Sequence, residues 1–237
     1  MDTLTNQVVI ITGASRGIGR ATALAMARAG ARVVVAARNK EQLQSLSDEI
    51  EAETGQPALV CPTDVAQEDD VKRLVQTALD VWGQVDILVN NAGFNARKAK
   101  IWEITPQEWD SMFAVNLRGA WLCCREVLPG MVARQSGHIV NVISTASQIG
   151  LEQIGAYGAT KWGLLGLTKS LIKEVRPYNV RVTAFSPGGT DTSFRAEPRP
   201  HYLRPETVAE AIVFVTALPE NAVVHDMVMR PMVETNF

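Results

Sequence analysis

Val8-Val9-Ile10-Ile11-Thr12-Gly13-Ala14-Ser15-Arg16-Gly17-Ile18-Gly19 is a continuous apolar run closed by a glycine-rich turn, and Ala21 to Ala29 continues it as a helix. A run of this length, broken by glycine and followed by helical spacing, reads as buried strand, loop and helix. Glycines at 13, 17 and 19 let the backbone turn tightly and approach a pyrophosphate, whose charge the helix N-terminal amides meet. Three residues, not one, separate the first two glycines. A plain glycine turn is the alternative, and the strand-loop-helix context favours the phosphate site. Gly13, Ser15 and Gly17 also match the Gly-x-Ser-x-Gly elbow of hydrolases. That elbow takes part of its oxyanion hole from a loop after an earlier strand, and no strand is predicted before residue 8, so we set it aside.

Working outward, Ala31 to Arg38 reads as a second strand, Asn39 to Thr54 as a helix, Ala58 to Cys61 as a third strand and Gln67 to Trp82 as a helix. Val85 to Val89 is then a fourth strand running into Asn90-Asn91-Ala92-Gly93. Strict alternation of strand and helix with right-handed crossovers predicts an α/β fold. It is a Rossmann-type, doubly wound parallel sheet of about seven strands with helices on both faces and ligands at the carboxyl edge. The second strand ends in Ala37-Arg38, where an acidic residue would suit the ribose hydroxyls of NAD. Arg38 and the loop residue Arg16 suit a 2′-phosphate instead, so the expected cofactor is NADP(H), with Arg38 as a solvated strand-end charge the plainer alternative.

The chemistry is expected between Ile139 and Lys161. Ile139 to Ile143 is a strand ending in Ser144, and Tyr157 and Lys161 lie four apart on a predicted helix, hence on one face. A phenol titrates near ~10, and a neighbouring cation lowers that value, making Tyr157 a usable proton donor. Ser144 would hold the substrate oxygen where negative charge develops. Tyr-x-x-x-Lys alone also arises by chance on amphipathic helices.

The chain has 237 residues, 46% hydrophobic and 20% charged, which suits one domain spanning 1–237. A net charge of -2 offers no basic surface for nucleic acid, and no apolar run approaches the roughly 18 residues of a membrane span. The first residues show neither a basic region nor a hydrophobic signal core, so the expected location is the cytoplasm. Cys61, Cys123 and Cys124 lack metal or redox spacing and read as buried thiols. His138, His201 and His225 join no ligand set, so no metal is expected.

With Thr12 to Gly19, Asn90 to Gly93, Ser144 and Tyr157 to Lys161 placed, nearly the whole chain resembles the short-chain dehydrogenase/reductase family, in its compact subfamily. The resemblance implies that Gly13, Ser15, Gly17, Ile18 and Gly19 line the pyrophosphate, that Asp64 and Val65 meet the adenine, and that Asn91, Ala92 and Gly93 run along the adenosine side. It implies a catalytic tetrad of Asn116, Ser144, Tyr157 and Lys161, with Asn116 holding a water and Lys161 also binding the nicotinamide ribose. Pro187, Gly188, Thr190 and Thr192 would fix the nicotinamide carboxamide. It further implies a homo-oligomer, tetramer or dimer, built through helix 155 to 176 and the one around 105 to 134. Close packing would explain Gly155, Gly158, Gly163 and Gly166 there, since interior glycine costs about 1 kcal/mol relative to alanine.

Two stretches depart from the family. Only about a dozen residues separate Thr192 from the helix near Arg204, and Pro198 and Pro200 argue against a helical lid. The expectation is an open site with Phe194, His201 and Tyr202 on a flexible flap, or else a simple connector. The last strand, Val223 to Arg230, leads into Pro231-Met232-Val233-Glu234-Thr235 rather than Val-Asn-Gly-Gly. Relatives that reduce 3-oxoacyl carrier proteins dock the carrier through arginines where Gln135 and Tyr178 stand here, with Arg134 and Arg176 nearby. The expected function is reduction of a small-molecule ketone or carbonyl to an alcohol, reversibly, with Phe94, Asn95, Thr145, Gln148, Leu151, Glu152 and Ile154 around the substrate. The readings set against it are a 3-oxoacyl thioester reductase and, in another class, an NADP-sensing regulatory protein.

Overall fold

Apolar runs too short for helices become strands, buried on both faces in the middle of the sheet and partly exposed at its edges, and in the computed structural model seven strands form one parallel sheet. The structure describes residues 3–194 and 198–235. The strands are β1 (Val8–Thr12), β2 (Arg32–Ala37), β3 (Leu59–Pro62), β4 (Ile87–Asn90), β5 (Gly137–Val142), β6 (Val180–Pro187) and β7 (Asp226–Met229). Their order is β3-β2-β1-β4-β5-β6-β7, all parallel, so the direction of winding reverses between β1 and β4. This is the doubly wound fold expected from the alternation, and a crevice opens at the carboxyl ends where the winding reverses.

The helices are α1 (Gly17–Arg28), α2 (Lys40–Thr54), α3 (Glu68–Trp82), α4 (Pro106–Phe113), α5 (Ala120–Arg134), α6 (Gly155–Val175) and α7 (Pro205–Thr216). On one face Met26, Leu43, Leu46, Val208 and Ile212 pack against Val9, Ile11, Val33 and Val35. On the other, Val71, Leu74, Leu122, Val127 and Leu171 cover Val8, Ile10, Val34, Leu88 and Ile139. Successive strand residues face opposite sides, which is why both sets of alternate positions are apolar.

Two elements differ from the reading of the sequence. A single helix over 105 to 134 is instead α4 and α5 joined by a π-helical stretch, Ala114–Gly119. The wider turn rotates the residues it carries, and it holds Asn116. The last strand is shorter than Val223 to Arg230, since β7 pairs on one side only and ends at Met229. Cys61, Cys123 and Cys124 are free and buried, and burial raises their thiol pKa values, to about 11 for Cys61 and about 12 for Cys124. Among the described residues no helix is long and apolar enough to cross a membrane, and no His, Cys, Asp or Glu group is arranged to hold a metal.

Candidate active site

The glycine loop is built from behind by side chains of β1 and β4. The Thr12 hydroxyl accepts from the backbone N–H groups of Asn91 and Ala92, both at 3.1 Å, and the Asn91 amide donates to the carbonyls of Thr12 at 2.9 Å and Gly13 at 3.2 Å. Ala14 N–H donates to Ala36 O at 3.1 Å, drawing the loop toward the end of β2. Gly13 has φ +66°, and a Cβ there would lie 2.9 Å from Ala92 Cα. One on Gly19 would lie 2.3 Å from the Gly13 carbonyl oxygen, so neither position admits a side chain. Arg16 precedes α1 in extended conformation with no side-chain hydrogen bond to the cap, and the first turn carries no acidic residue. The positive end of α1 therefore suits an anion, and the flush glycine cradle fits a dinucleotide pyrophosphate. Arg16 and Arg38 are both exposed, on the loops that leave adjacent strands.

Beyond the reversal of winding, a buried polar chain joins three elements. The Asn116 amide donates to Phe94 O at 2.8 Å and to Thr160 Oγ1 at 3.1 Å, and its Oδ1 accepts from Phe94 N–H at 2.9 Å. Thr160 Oγ1 in turn donates to Tyr157 O at 2.7 Å. The side chain of Asn116 thus ties the loop after β4 to α6. Lys161, only 4% exposed, donates to Val142 O at 2.9 Å and lies 5.8 Å from the centre of the Tyr157 ring. A Cβ on Gly93 would sit 3.3 Å from Asn116 Oδ1 and 3.5 Å from Lys161 Nζ. Burial pulls the Lys161 pKa from 10.5 down to about 8, which leaves about nine-tenths of it charged at pH 7.

Ser144 stands at the carboxyl end of β5, where its Oγ accepts from Ala146 N–H at 3.1 Å. Among the described residues no acceptor takes its proton. The first turn of α6 packs on the short 3₁₀ turn Thr145–Ser147, a Cβ on Gly158 lying 3.5 Å from Ala146 O. Ala99 N–H donates to Gln153 O at 2.9 Å, which stitches together the two loops that carry the residues expected around the substrate.

Asp64 and Val65 follow β3 on the same edge. The Asp64 carboxylate accepts from Ala66 N–H at 3.0 Å, and Val65 is buried against Gly119. Pro187 to Thr192 leaves β6 there too. Thr190 is buried and bridges to Leu203, and the Thr192 methyl would stand 3.2 Å from a Cβ on Gly17, across the crevice. Of the stretch expected as an open flap or a connector, residues 195–197 lie outside the described residues. The Phe194 ring stacks obliquely 5.7 Å from that of Tyr157, and its N–H reaches Thr192 Oγ1 at 3.3 Å. Tyr202 packs on Gly189, and Leu203 N–H donates to Gly189 O at 3.0 Å. His201 is exposed.

Sequence reasoning passed over Thr12 and Thr160, whose hydroxyls join these loops. It also missed the buried chain in which Asn90 donates to Asn141 at 2.9 Å and Asn141 to Thr168 at 2.9 Å. Paired asparagines on neighbouring strands β4 and β5 were the available signal.

The short chain dehydrogenase family model matches residues 7–203. An uncharacterized oxidoreductase of Staphylococcus aureus is 35% identical over 235 residues, covering 98% of this chain and 100% of that protein. A 3-oxoacyl-[acyl-carrier-protein] reductase of Synechocystis is 37% identical over 94% of each chain. Among solved structures, a metagenomic short-chain oxidoreductase in complex with NADP superposes with a TM-score of 0.88 at 34% identity, over 98% of this chain and 100% of the other.

Proposed function

This chain belongs to the short-chain dehydrogenase family, and from that premise we propose that it is an NADP(H)-dependent oxidoreductase interconverting a ketone or other carbonyl with its alcohol. The observation that carries the reading is the buried Lys161, anchored on Val142 O beside the Tyr157 ring at the edge where the glycine loop opens. NADPH, when bound, supplies the hydride that reaches the carbonyl carbon. Ser144 donates to the carbonyl oxygen, its Oγ already oriented by Ala146 N–H, and Tyr157 gives that oxygen its proton. The Lys161 charge eases the departure of that proton, and Asn116 holds the loop and helix on which Gly93, Tyr157 and Lys161 sit. Gly13 to Gly19 would hold the pyrophosphate, Asp64 and Val65 the adenine end, and Pro187 to Thr192 the carboxamide. NADP is favoured over NAD by Arg16 and Arg38, and it is the nucleotide in the metagenomic relative.

The reading takes residues 1–237 as one domain working in the cytoplasm, where its free thiols stay reduced. It also takes the protein as a homo-oligomer. A groove of about 600 Å³ between α4, the π stretch, α5 and α6 is lined by Phe113, Leu117, Trp121 and Leu167. Trp162 is exposed on α6, and Gly166 on the same helix faces open space. A second copy covering these faces gives sedimentation as a dimer or tetramer, and a monomer in dilute solution would oppose it.

A 3-oxoacyl thioester is the second substrate reading, favoured by the Synechocystis relative. Against a docked carrier stand Gln135 and Tyr178 at the arginine positions, and the guanidinium of neighbouring Arg134 is already engaged, donating to Val85 O at 2.8 Å. The test is NADPH oxidation with a 3-oxoacyl thioester, with NADH and Tyr157→Phe run beside it. Turnover with NADPH that falls about a thousandfold in the variant while NADPH still binds supports the chemistry, and turnover retained by Tyr157→Phe refutes it. No turnover despite NADPH binding moves the search to diketones, quinones and sugars.

A further inference from the structure

The turn after β6 is not held by its own strand alone. Gly188 N–H donates to Met229 O at 2.7 Å, and Gly189 N–H donates to Oε1 of Glu234, 45 residues further on, at 2.8 Å. Glu234 belongs to the tail after β7, which folds back through Glu234 N–H to Pro231 O at 3.0 Å. Its carboxylate is mostly buried, 21% exposed, and its Oε2 lies 3.7 Å from Nη1 of Arg230, itself 13% exposed. A Cβ on Gly188 would meet Glu234 Oε2 at 2.5 Å. One on Gly189 would meet the Tyr202 ring at 2.3 Å and Glu234 Oε1 at 2.8 Å. Carboxylate and ring together fill the space behind the two glycines.

We propose that Glu234 is a positioning residue that holds the Gly188–Thr192 turn in the shape that receives the nicotinamide end of the cofactor. This rests on the function proposed above. A hydrogen bond from a backbone N–H to a carboxylate is stronger than one to a neutral acceptor, and Arg230 balances the charge so that it can be buried. The turn begins two residues before Thr190 and four before Thr192. Holding it in advance removes ordering that binding would otherwise have to supply. The pairing of β6 with β7 ends at Pro187↔Met229, so the bond to Gly189 extends the hold past the last rung of the sheet.

The experiment compares wild type with Glu234→Ala, Glu234→Gln and Glu234→Asp. Dissociation constants are measured for NADPH and for 2′-phospho-ADP-ribose, which lacks the nicotinamide. Glu234→Ala is expected to weaken NADPH about tenfold and to leave 2′-phospho-ADP-ribose within about twofold. Glu234→Gln, which keeps an oxygen acceptor, should recover most of the loss. Glu234→Asp, which keeps the charge and shortens the reach, should behave like Ala, and it serves if the Ala variant does not fold. Unchanged NADPH affinity, or equal loss of both ligands, overturns the proposal. A wild type that binds neither NADPH nor NADH instead overturns the proposed function. Amide hydrogen exchange at 188–192 then decides whether Glu234 orders the turn: faster exchange in the Ala variant supports it, and unchanged exchange overturns it.

Discussion

Lys161 and His138 are both buried bases on the same sheet-and-helix framework, one at each end of β5. His138 sits near the amino end, where its Nε2 lies 2.8 Å from Thr183 Oγ1. The Thr183 hydroxyl donates to Val224 O at 2.7 Å, so it accepts from the ring, which is therefore the Nε2–H tautomer. Its Nδ1 is buried with no partner among the described residues. Burial, helped by the charge of Arg181, pushes its pKa from 6.5 down to about 3, and at neutral pH it is a polar packing residue. Lys161 is as deeply buried but keeps a pKa of about 8, and it faces Tyr157 and Gly93 where the crevice opens. The same desolvation silences one base and leaves the other charged. What separates them is the starting pKa and the end of β5 that each one touches, His138 from the strand itself and Lys161 from α6.

The largest expected effect comes from Lys161→Met. Turnover should fall at least about a thousandfold, while the protein gains stability. Keeping that cation buried costs on the order of 3 kcal/mol at pH 7, and losing the bond to Val142 O offsets part of the relief. A melting temperature several degrees above wild type would sharpen the contrast, and a lower one would break it. In the wild type, carbonyl reduction should decline as pH rises past about 8, where Lys161 loses its proton.

His138 should govern the acid side of stability and leave chemistry untouched. Its folded pKa lies below the unfolded one, so the unfolded chain binds the extra proton. Stability is then full above pH 6.5 and lost as pH falls toward 3, by about 2 kcal/mol at pH 5. Denaturant titrations of His138→Gln at pH 5 and 7.5 should differ less than those of wild type. The smallest effect is expected for Arg134→Ala, also at that far edge: about 1 kcal/mol of stability and no change in kcat.

What could be read from the sequence divides by distance along the chain. The strand, glycine loop and α1 were legible because apolar run, glycines and helical spacing all lie within about 20 residues, and the sheet followed from repeating that unit. The Asn91 bond to Thr12, 79 residues away, and the Asn116 bond to Thr160, 44 away, leave no local pattern. Both needed the fold to bring their partners together. The π stretch was hidden for another reason. The apolar spacing from α4 to α5 reads as one helix, and the wider turn that carries Asn116 changes the phase without breaking the pattern. Glu234 was noticed only as part of an unfamiliar tail, because a carboxylate acting on a glycine amide has no signature in sequence.

The three unpaired cysteines give the molecule an internal clock. With every thiol buried and its pKa raised, alkylating reagents meet almost no thiolate while the chain is folded. Labelling therefore waits on opening of the chain. Cys123 and Cys124 lie in α5 and Cys61 in β3, all in the core on one face of the sheet, so mass spectrometry of partly labelled protein can time how helix and strand of that core open, with no probe introduced.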